Sequence, residues 1–214
     1  MSSELTAALA DLLGAELRTC DVPELKMRLA LAHWDDESCA FDAQKIDDIW
    51  QHMPYWAFVW SSGHALAQFI LQNPHYVKNR RVLDFGAGSG VVAIAAAMSG
   101  ARSVIACDID PLALRACEWN AALNGVHLNT ATSLADVSAD DVILAGDVLY
   151  DTRNRDLAGQ LFASGCTLLW AESEAHSHLS SQYRPQAAIQ GRTLPNPGDF
   201  DSPHVSYIYL FTPH

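Results

Sequence analysis

The sequence predicts an α/β protein built on a largely parallel sheet covered by helices on both faces. Short, near-continuous apolar runs (RRVLDF, SVIACD, DDVILAG, CTLLWAE) alternate with segments of helical period, as expected for strands buried on both sides and joined by helical crossovers. A glycine-rich turn sits directly between the first of these runs and a helix-forming stretch. The composition agrees: 214 residues, 50% hydrophobic and only 18% charged, describe an ordered globule with a substantial core, one domain or a domain with an extension.

Element by element, Leu5–Leu13 reads as a helix, and the stretch ending in KMRLALAH alternates as a strand does. An acidic, mixed segment follows from Asp35 to Asp48, and the boundary between an N-terminal extension (1–50) and the main domain (51–214) is expected near Trp50. WSSGHALAQFILQNP has serines at its start, apolar positions at helical spacing and a stop at Asn73-Pro74. RRVLDF is a strand, GAGSG a tight turn and VVAIAAAMSG a helix with small residues for close packing on a sheet. SVIACD is the next strand, and a long helix runs from Pro111, a favoured early helical position, to Asn124-Gly125. HLNTAT is a weaker third strand, DDVILAG a fourth and CTLLWAE a fifth. RPQAAIQGRTLPNPGDF and HVSYIYLF read as two further strands joined by a Pro/Gly loop.

Charge narrows the partners. Thirteen Lys plus Arg against 25 Asp plus Glu give a net charge of -12, which argues against nucleic acid, whose phosphates need a positive face. A cationic protein surface is the more compatible partner. The five cysteines are scattered without a CxxC pair, so they read as reduced small hydrophobes, and no metal site is expected. No secretory segment or run of 18 apolar residues stands out, so no membrane span is expected and the cytoplasm is the expected compartment.

The central signal is Asp84-Phe85-Gly86-Ala87-Gly88-Ser89-Gly90. Gly86 and Gly88 allow backbone to approach a ligand, and Gly90 allows close entry of the next helix. Asp108 ends the second strand, where its carboxylate can accept both ribose hydroxyls; the structural alternative is that Asp108 and Asp110 only start the helix at Pro111. GAGSG is not a clean GxGxxG pyrophosphate fingerprint, and Asp84 ahead of it would repel a pyrophosphate but could face an amino group. A simple turn-capping Asp84 is the competing reading.

DFGAGSG, ACDIDPLAL and NAALNG together resemble the class I S-adenosylmethionine-dependent methyltransferase pattern, and more narrowly the enzymes related to the ribosomal protein L11 methyltransferase. PYWAFVWSSGHALAQFIL and GDVLYD are similar to bacterial relatives of the electron transfer flavoprotein beta-subunit lysine methyltransferase. The resemblance covers roughly Glu24 to Leu169. It implies a Rossmann-like, seven-stranded, mostly parallel sheet with the last strand antiparallel, S-adenosylmethionine as cofactor and a protein lysine as methyl acceptor. It places Asp84, Gly86, Gly88 and Gly90 around the methionine and ribose portions and Asp108 on the ribose hydroxyls. Ile109 would border adenine, Ser133 and Leu134 would complete that pocket, and Trp60 would lie beside the cofactor. Trp56 stands between an entrance role and core packing, and His64 reads as a packing histidine rather than a catalyst.

Asp147-Val148-Leu149-Tyr150 follows the fourth strand, at the carboxyl end of the sheet. The resemblance makes Asp147 and Tyr150 the residues that admit and orient the substrate lysine, with Glu172 and Glu174 as secondary candidates for deprotonation or recognition. Relatives carry an Asp-Pro segment after the fifth strand, whereas this chain has AESEAH, with His176 and His178 read as surface histidines. Three alternatives stand beside this reading: a methyltransferase for another protein or a small amine, a nicotinamide oxidoreductase, which the Asp84 turn disfavours, and a noncatalytic cofactor-binding protein. DNA or glutamine methylation is disfavoured by the absence of Asn-Pro-Pro-aromatic after the fourth strand.

Overall fold

The computed structural model describes residues 3–34, 53–134, 137–148, 161, 163, 165–173, 184–196 and 205–212. The acidic segment Asp35 to Asp48, the expected boundary at Trp50, and Tyr150, Glu174, His176 and His178 lie outside the described residues.

Helix α1 (Ser3–Leu13) leads into a hairpin of β1 (Glu16–Val22) and β2 (Met27–His33). After the short 3-10 turn Tyr55–Ala57 come α2 (Ser61–Gln72), β3 (Arg81–Phe85), α3 (Val91–Met98), β4 (Ser103–Cys107), α4 (Pro111–Leu123) and β5 (Asn129–Ala131). They are followed by β6 (Val142–Gly146), β7 (Thr167–Ser173), β8 (Ala187–Gln190) and β9 (Val205–Phe211). Strands β3 to β9 form a seven-stranded sheet in the order β5-β4-β3-β6-β7-β9-β8. Pairings among β3 to β7 are parallel, and β9 runs antiparallel to both its neighbours. The expected α/β sheet with a reversed last strand is therefore present. Among the described residues no helix is long and apolar enough to cross a membrane.

Parallel strands need cover on both faces, and the burial shows it: Val142 to Ala145 and Leu168 to Ala171 are all buried. One face, through Val82, Leu144, Leu169 and Ala171, packs with α2 and α3, the latter carrying the small residues Ala93, Ala95 and Ala96. The other face holds Leu83, Ile143, Leu168, Trp170 and Tyr209.

The sequence reading anticipated β2 but not β1, because Arg18, Thr19 and Asp21 interrupt the apolar pattern of ELRTCDV. The hairpin shares the main core. Met27, Leu29 and Leu31 point into the cluster with Leu66, Ile70 and Val91, while Ala30 and Ala32 face a second cluster formed with α1, Trp56, Phe58 and Ala116. Strand β2 is thus buried on both faces, although only β1 pairs with it.

The outer edge of β2 is completed by side chains of α4. Asn124 accepts a hydrogen bond from Arg28 N at 2.9 Å and donates to Arg28 O at 2.7 Å. Asn120 accepts from Ala30 N at 2.7 Å. Four residues along a helix rise about 6 Å and two along a strand about 6.8 Å, so an Asn-x-x-x-Asn pair matches alternate edge groups of a strand and satisfies backbone that would otherwise be orphaned.

Candidate active site

Strands β3, β4 and β5 progress to one side of the sheet and β6, β7 to the other, so the order reverses between β3 and β6. Ligands of open α/β sheets bind at the carboxyl ends of strands flanking such a reversal. Asp84 to Gly90 leave β3 there, Asp108 leaves β4, and Asp147 leaves β6.

The glycine turn is held from several sides. Gly86 N and Ala87 N both donate to Cys107 O, and Gly88 N donates to Asp108 Oδ2 at 2.9 Å. Asp108 Oδ1 accepts from Asp110 N at 3.0 Å. This carboxylate therefore ties the first turn to the second while retaining further lone pairs. Burial raises its pKa, partly offset by these backbone donors. Asp110 does cap α4, accepting from Leu112 N at 2.8 Å, whereas Asp108 reaches back across the sheet; the two acidic residues have separate roles.

Asp84 is buried, and its Oδ2 accepts from Ala93 N at 2.9 Å, inside the first turn of α3. Gly90 occupies the N-cap of α3 without a side chain to cap with, and Asp84 supplies the acceptor from the strand instead. Burial pushes the Asp84 carboxyl up to about 7, with Ala93 N–H pulling it down and the Asp108 charge pushing it further up.

Two glycines of this turn are required by their surroundings. Gly90 has φ 81°, and a Cβ there would lie 3.0 Å from Cys117 Cα. Gly86 has φ 71°, and a Cβ there would lie 2.8 Å from Val148 Cγ1. The latter contact arises because the chain turns sharply at Asp147, a non-glycine residue with φ 45°, and lays Val148 over the glycine turn. Such a left-handed residue is costly and persists only where its surroundings hold it. Here Asp147 N donates to Ala171 O at 2.9 Å and Asp147 Oδ1 accepts from Ser173 N at 2.8 Å. These two bonds straddle Glu172, which is 1% exposed and lies in register with Tyr207 of β9. Asp147 is thus anchored to the backbone on either side of Glu172.

The first turn of α2 closes the same end of the sheet. A Cβ on Gly146 would lie 3.3 Å from Ser62 Oγ and 3.4 Å from Gly63 N. Trp60, just before the helix, donates from Nε1 to Tyr55 O at 3.1 Å, and that carbonyl is the nearest atom to a Cβ placed on Gly88, at 3.8 Å. Trp60 is therefore beside the glycine turn, packed at a tilt against Tyr55 and Phe58 with ring centroids 5.5 Å apart in each pair. Ile109 projects from the turn after β4 and is 74% exposed; Ser133 is exposed and Leu134 half-buried after β5.

Trp56 is 1% exposed and belongs to the core. His64 is buried, with Nε2 3.0 Å from Glu24 Oε1, and Arg192 also pairs with Glu24. Burial lowers the His64 pKa while Glu24 raises it; it links α2, the hairpin turn and the segment before β9. The sequence reading did not single out Asn120, Cys117 or Thr193. Thr193 Oγ1 accepts from Ser61 N at 3.1 Å, Cys117 Sγ lies 3.4 Å from Gly88 O, and Asn120 Nδ2 donates to Ser89 O at 2.9 Å. The spacing of Cys117, Asn120 and Asn124 along one face of α4 is the signal that could have identified that support. Among the described residues no group of three or more His, Cys, Asp or Glu could hold a metal ion.

Comparison with known proteins agrees with this geometry. The family model "Ribosomal protein L11 methyltransferase (PrmA)" matches residues 65–151. The electron transfer flavoprotein beta subunit lysine methyltransferase of Rattus norvegicus is 37% identical over 159 residues, covering 70% of this chain and 57% of that protein. The ribosomal protein L11 methyltransferase of Lactobacillus delbrueckii subsp. bulgaricus is 37% identical over 136 residues, covering 61% of this chain and 42% of that protein. The chain thus spans about half the length of these curated relatives. The crystal structure of the ribosomal protein L11 methylase from the same Lactobacillus superposes with a TM-score of 0.51 at 26% identity, covering 70% of this chain and 77% of that one. Sheet order, glycine turn and sequence likeness converge: the chain has the Rossmann-like fold of these methyltransferases and is similar in sequence to the ribosomal protein L11 and electron transfer flavoprotein beta subunit lysine methyltransferases.

Proposed function

We propose that this protein transfers a methyl group from S-adenosylmethionine to a lysine amine of a protein, with the electron transfer flavoprotein beta subunit as the leading substrate. The observation that carries the reading is the convergence of the glycine turn, Asp108 and Asp147 at the carboxyl ends of β3, β4 and β6, combined with likeness to a lysine methyltransferase across 70% of the chain.

The donor set fits the cofactor. Asp108 retains acceptor capacity for ribose hydroxyls beside a turn whose glycines keep side chains out of the way. Ile109 offers an exposed apolar surface for adenine, with Ser133 and Leu134 as further lining. Trp60 borders the turn, and Gly86, Gly88 and Gly90 with Asp84 receive the methionine and ribose side. Asp84 has one oxygen committed to Ala93 N, so it contributes through its remaining acceptor capacity. The bound cofactor supplies a methyl carbon activated by a positively charged sulfur.

The protein's own task is to present a neutral amine in line with that carbon and to exclude water. Asp147, clamped by Ala171 and Ser173, is a rigid acceptor for amine hydrogens. Strong pairing would favour the protonated amine, which cannot attack, so Asp147 orients rather than acts as an assured base. Tyr150 is proposed to shield the lysine chain, and buried Glu172 is the secondary candidate for deprotonation. The acidic charge supports a cationic protein surface as partner, and the scattered free cysteines support a reducing compartment, the cytoplasm.

The test is transfer of labelled methyl from S-adenosylmethionine to purified electron transfer flavoprotein, read by intact-mass and peptide mass spectrometry beside a cofactor-binding measurement. A methylated beta-subunit lysine is expected. Tight cofactor binding without transfer would move the acceptor to another protein or a small amine, and absence of binding would refute the cofactor assignment.

A further inference from the structure

The backbone around Ser89 is supported from behind by α4, and that support continues to the N-terminal hairpin. Asn120 is fully buried. Its Oδ1 accepts from Ala30 N on the outer edge of β2, and its Nδ2 donates to Ser89 O between Gly88 and Gly90. One turn earlier on the same helix, Cys117 Sγ contacts Gly88 O and packs against Gly90. One turn later, Asn124 holds both polar groups of Arg28 without touching the glycine turn. Because a peptide unit is planar and trans, anchoring the Gly88 and Ser89 carbonyls toward α4 fixes the direction of the amides that follow them.

We propose that Asn120 is a positioning residue for the cofactor: by bridging Ala30 N and Ser89 O it makes the docked hairpin part of the support that holds the glycine turn ready for S-adenosylmethionine. The amide side chain suits this because it offers one acceptor and one donor at once, on two separate atoms and without charge. A buried amide with both ends used also has one preferred orientation, since losing either partner leaves an unsatisfied group. Coupling between two sites is reciprocal. Cofactor bound at the turn must therefore tighten the hydrogen bond at Ala30.

The proposal rests on the cofactor reading above and is tested on the full chain with S-adenosylhomocysteine as the probe. Asn120→Ala is compared with Asn124→Ala, which removes hairpin-docking bonds and a bond to the Asn120 backbone carbonyl but leaves the Asn120 side chain on Ser89 O. Isothermal titration should show the dissociation constant rising about tenfold or more in Asn120→Ala, the equivalent of one good hydrogen bond, and changing less than about twofold in Asn124→Ala. Hydrogen exchange on the unmodified chain is the second measurement and does not depend on a variant folding. Saturating S-adenosylhomocysteine should slow exchange of the Ala30 amide by about threefold or more. Equal weakening by both variants, in proportion to their loss of melting temperature, would overturn the proposal, as would exchange at Ala30 that ignores the ligand. Those results leave wild-type binding intact; absence of wild-type binding would instead refute the cofactor reading and this inference with it.

Discussion

Gly90→Ala tests how closely the glycine turn and α4 are packed. Two separable costs arise. The left-handed φ of 81° penalises any residue with a Cβ by about 1–2 kcal/mol. The added methyl would also lie 3.0 Å from Cys117 Cα, 3.1 Å from its Sγ and 3.2 Å from its Cβ. Two of those atoms cannot rotate away, and α4 is held to β2 by Asn120 and Asn124, so the clash must be relieved by backbone movement, at roughly 1–3 kcal/mol. Gly125 provides the reference, with φ 66° and nothing within 4 Å of its added Cβ. Gly125→Ala should therefore show the backbone cost alone, about 1–2 kcal/mol, and Gly90→Ala about 2–5 kcal/mol. Urea unfolding followed by circular dichroism would measure both. Equal destabilisation of the two variants would refute the claim that Gly90 is required by contact with α4 as well as by its backbone angle.

Asp84→Asn isolates a titration in the core. With the folded pKa raised to about 7 from 3.8, the folded chain holds a proton that the unfolded chain has released between about pH 4 and 7. The contribution of Asp84 is full below the lower value and is lost as pH rises through the upper one, on the order of 4 kcal/mol in total. The stability of the wild type relative to Asp84→Asn should fall by that amount from pH 4 to 7.5 in urea titrations, and a flat difference would refute the burial account. At the opposite end of the sheet, Asp141 is buried and accepts from Arg81 and Ser138 N, each at 2.8 Å. Asp141→Ala should cost about 2–4 kcal/mol in thermal or urea unfolding by orphaning those donors. Cofactor affinity of the folded variant should stay unchanged, and a large loss would contradict the placement of the site at the carboxyl ends. Asp108→Ala should weaken S-adenosylhomocysteine binding about tenfold or more by calorimetry, because it removes both the proposed ribose acceptor and the bond to Gly88 N; an unchanged dissociation constant would sink the ribose assignment.

Much of the architecture and the glycine turn itself was legible in the sequence because the relevant signals are local. VLDF, VIAC, VILA and TLLWA each declare burial on two faces, and Pro111 and Asn124-Gly125 bracket α4. Gly86 and Gly90 mark positions where a side chain is excluded, and a reader of sequence sees them directly. Strand β1 was not legible because its edge face is polar and its pairing is with β2, whose own alternation carries the signal. The two roles of Asp84 were likewise undecided in the sequence, since whether a strand carboxylate caps the next helix depends on the angle at which that helix leaves the turn.

Residue identity alone determined which chemistry was available: a family-like glycine turn, carboxylates after three strands, an acidic surface and no CxxC pair. Tertiary structure decided which of those groups meet. Asp147 becomes part of a clamp only because β7 lies parallel to β6 with Gly146 opposite Ala171. Asn120 becomes a bridge only because 90 residues of chain separation close to 2.7 Å at Ala30. Spacing along a chain sets periodicity and turn preference, which short-range sterics enforce; contacts between distant segments depend on the register and packing of whole elements, and those are properties of the folded molecule.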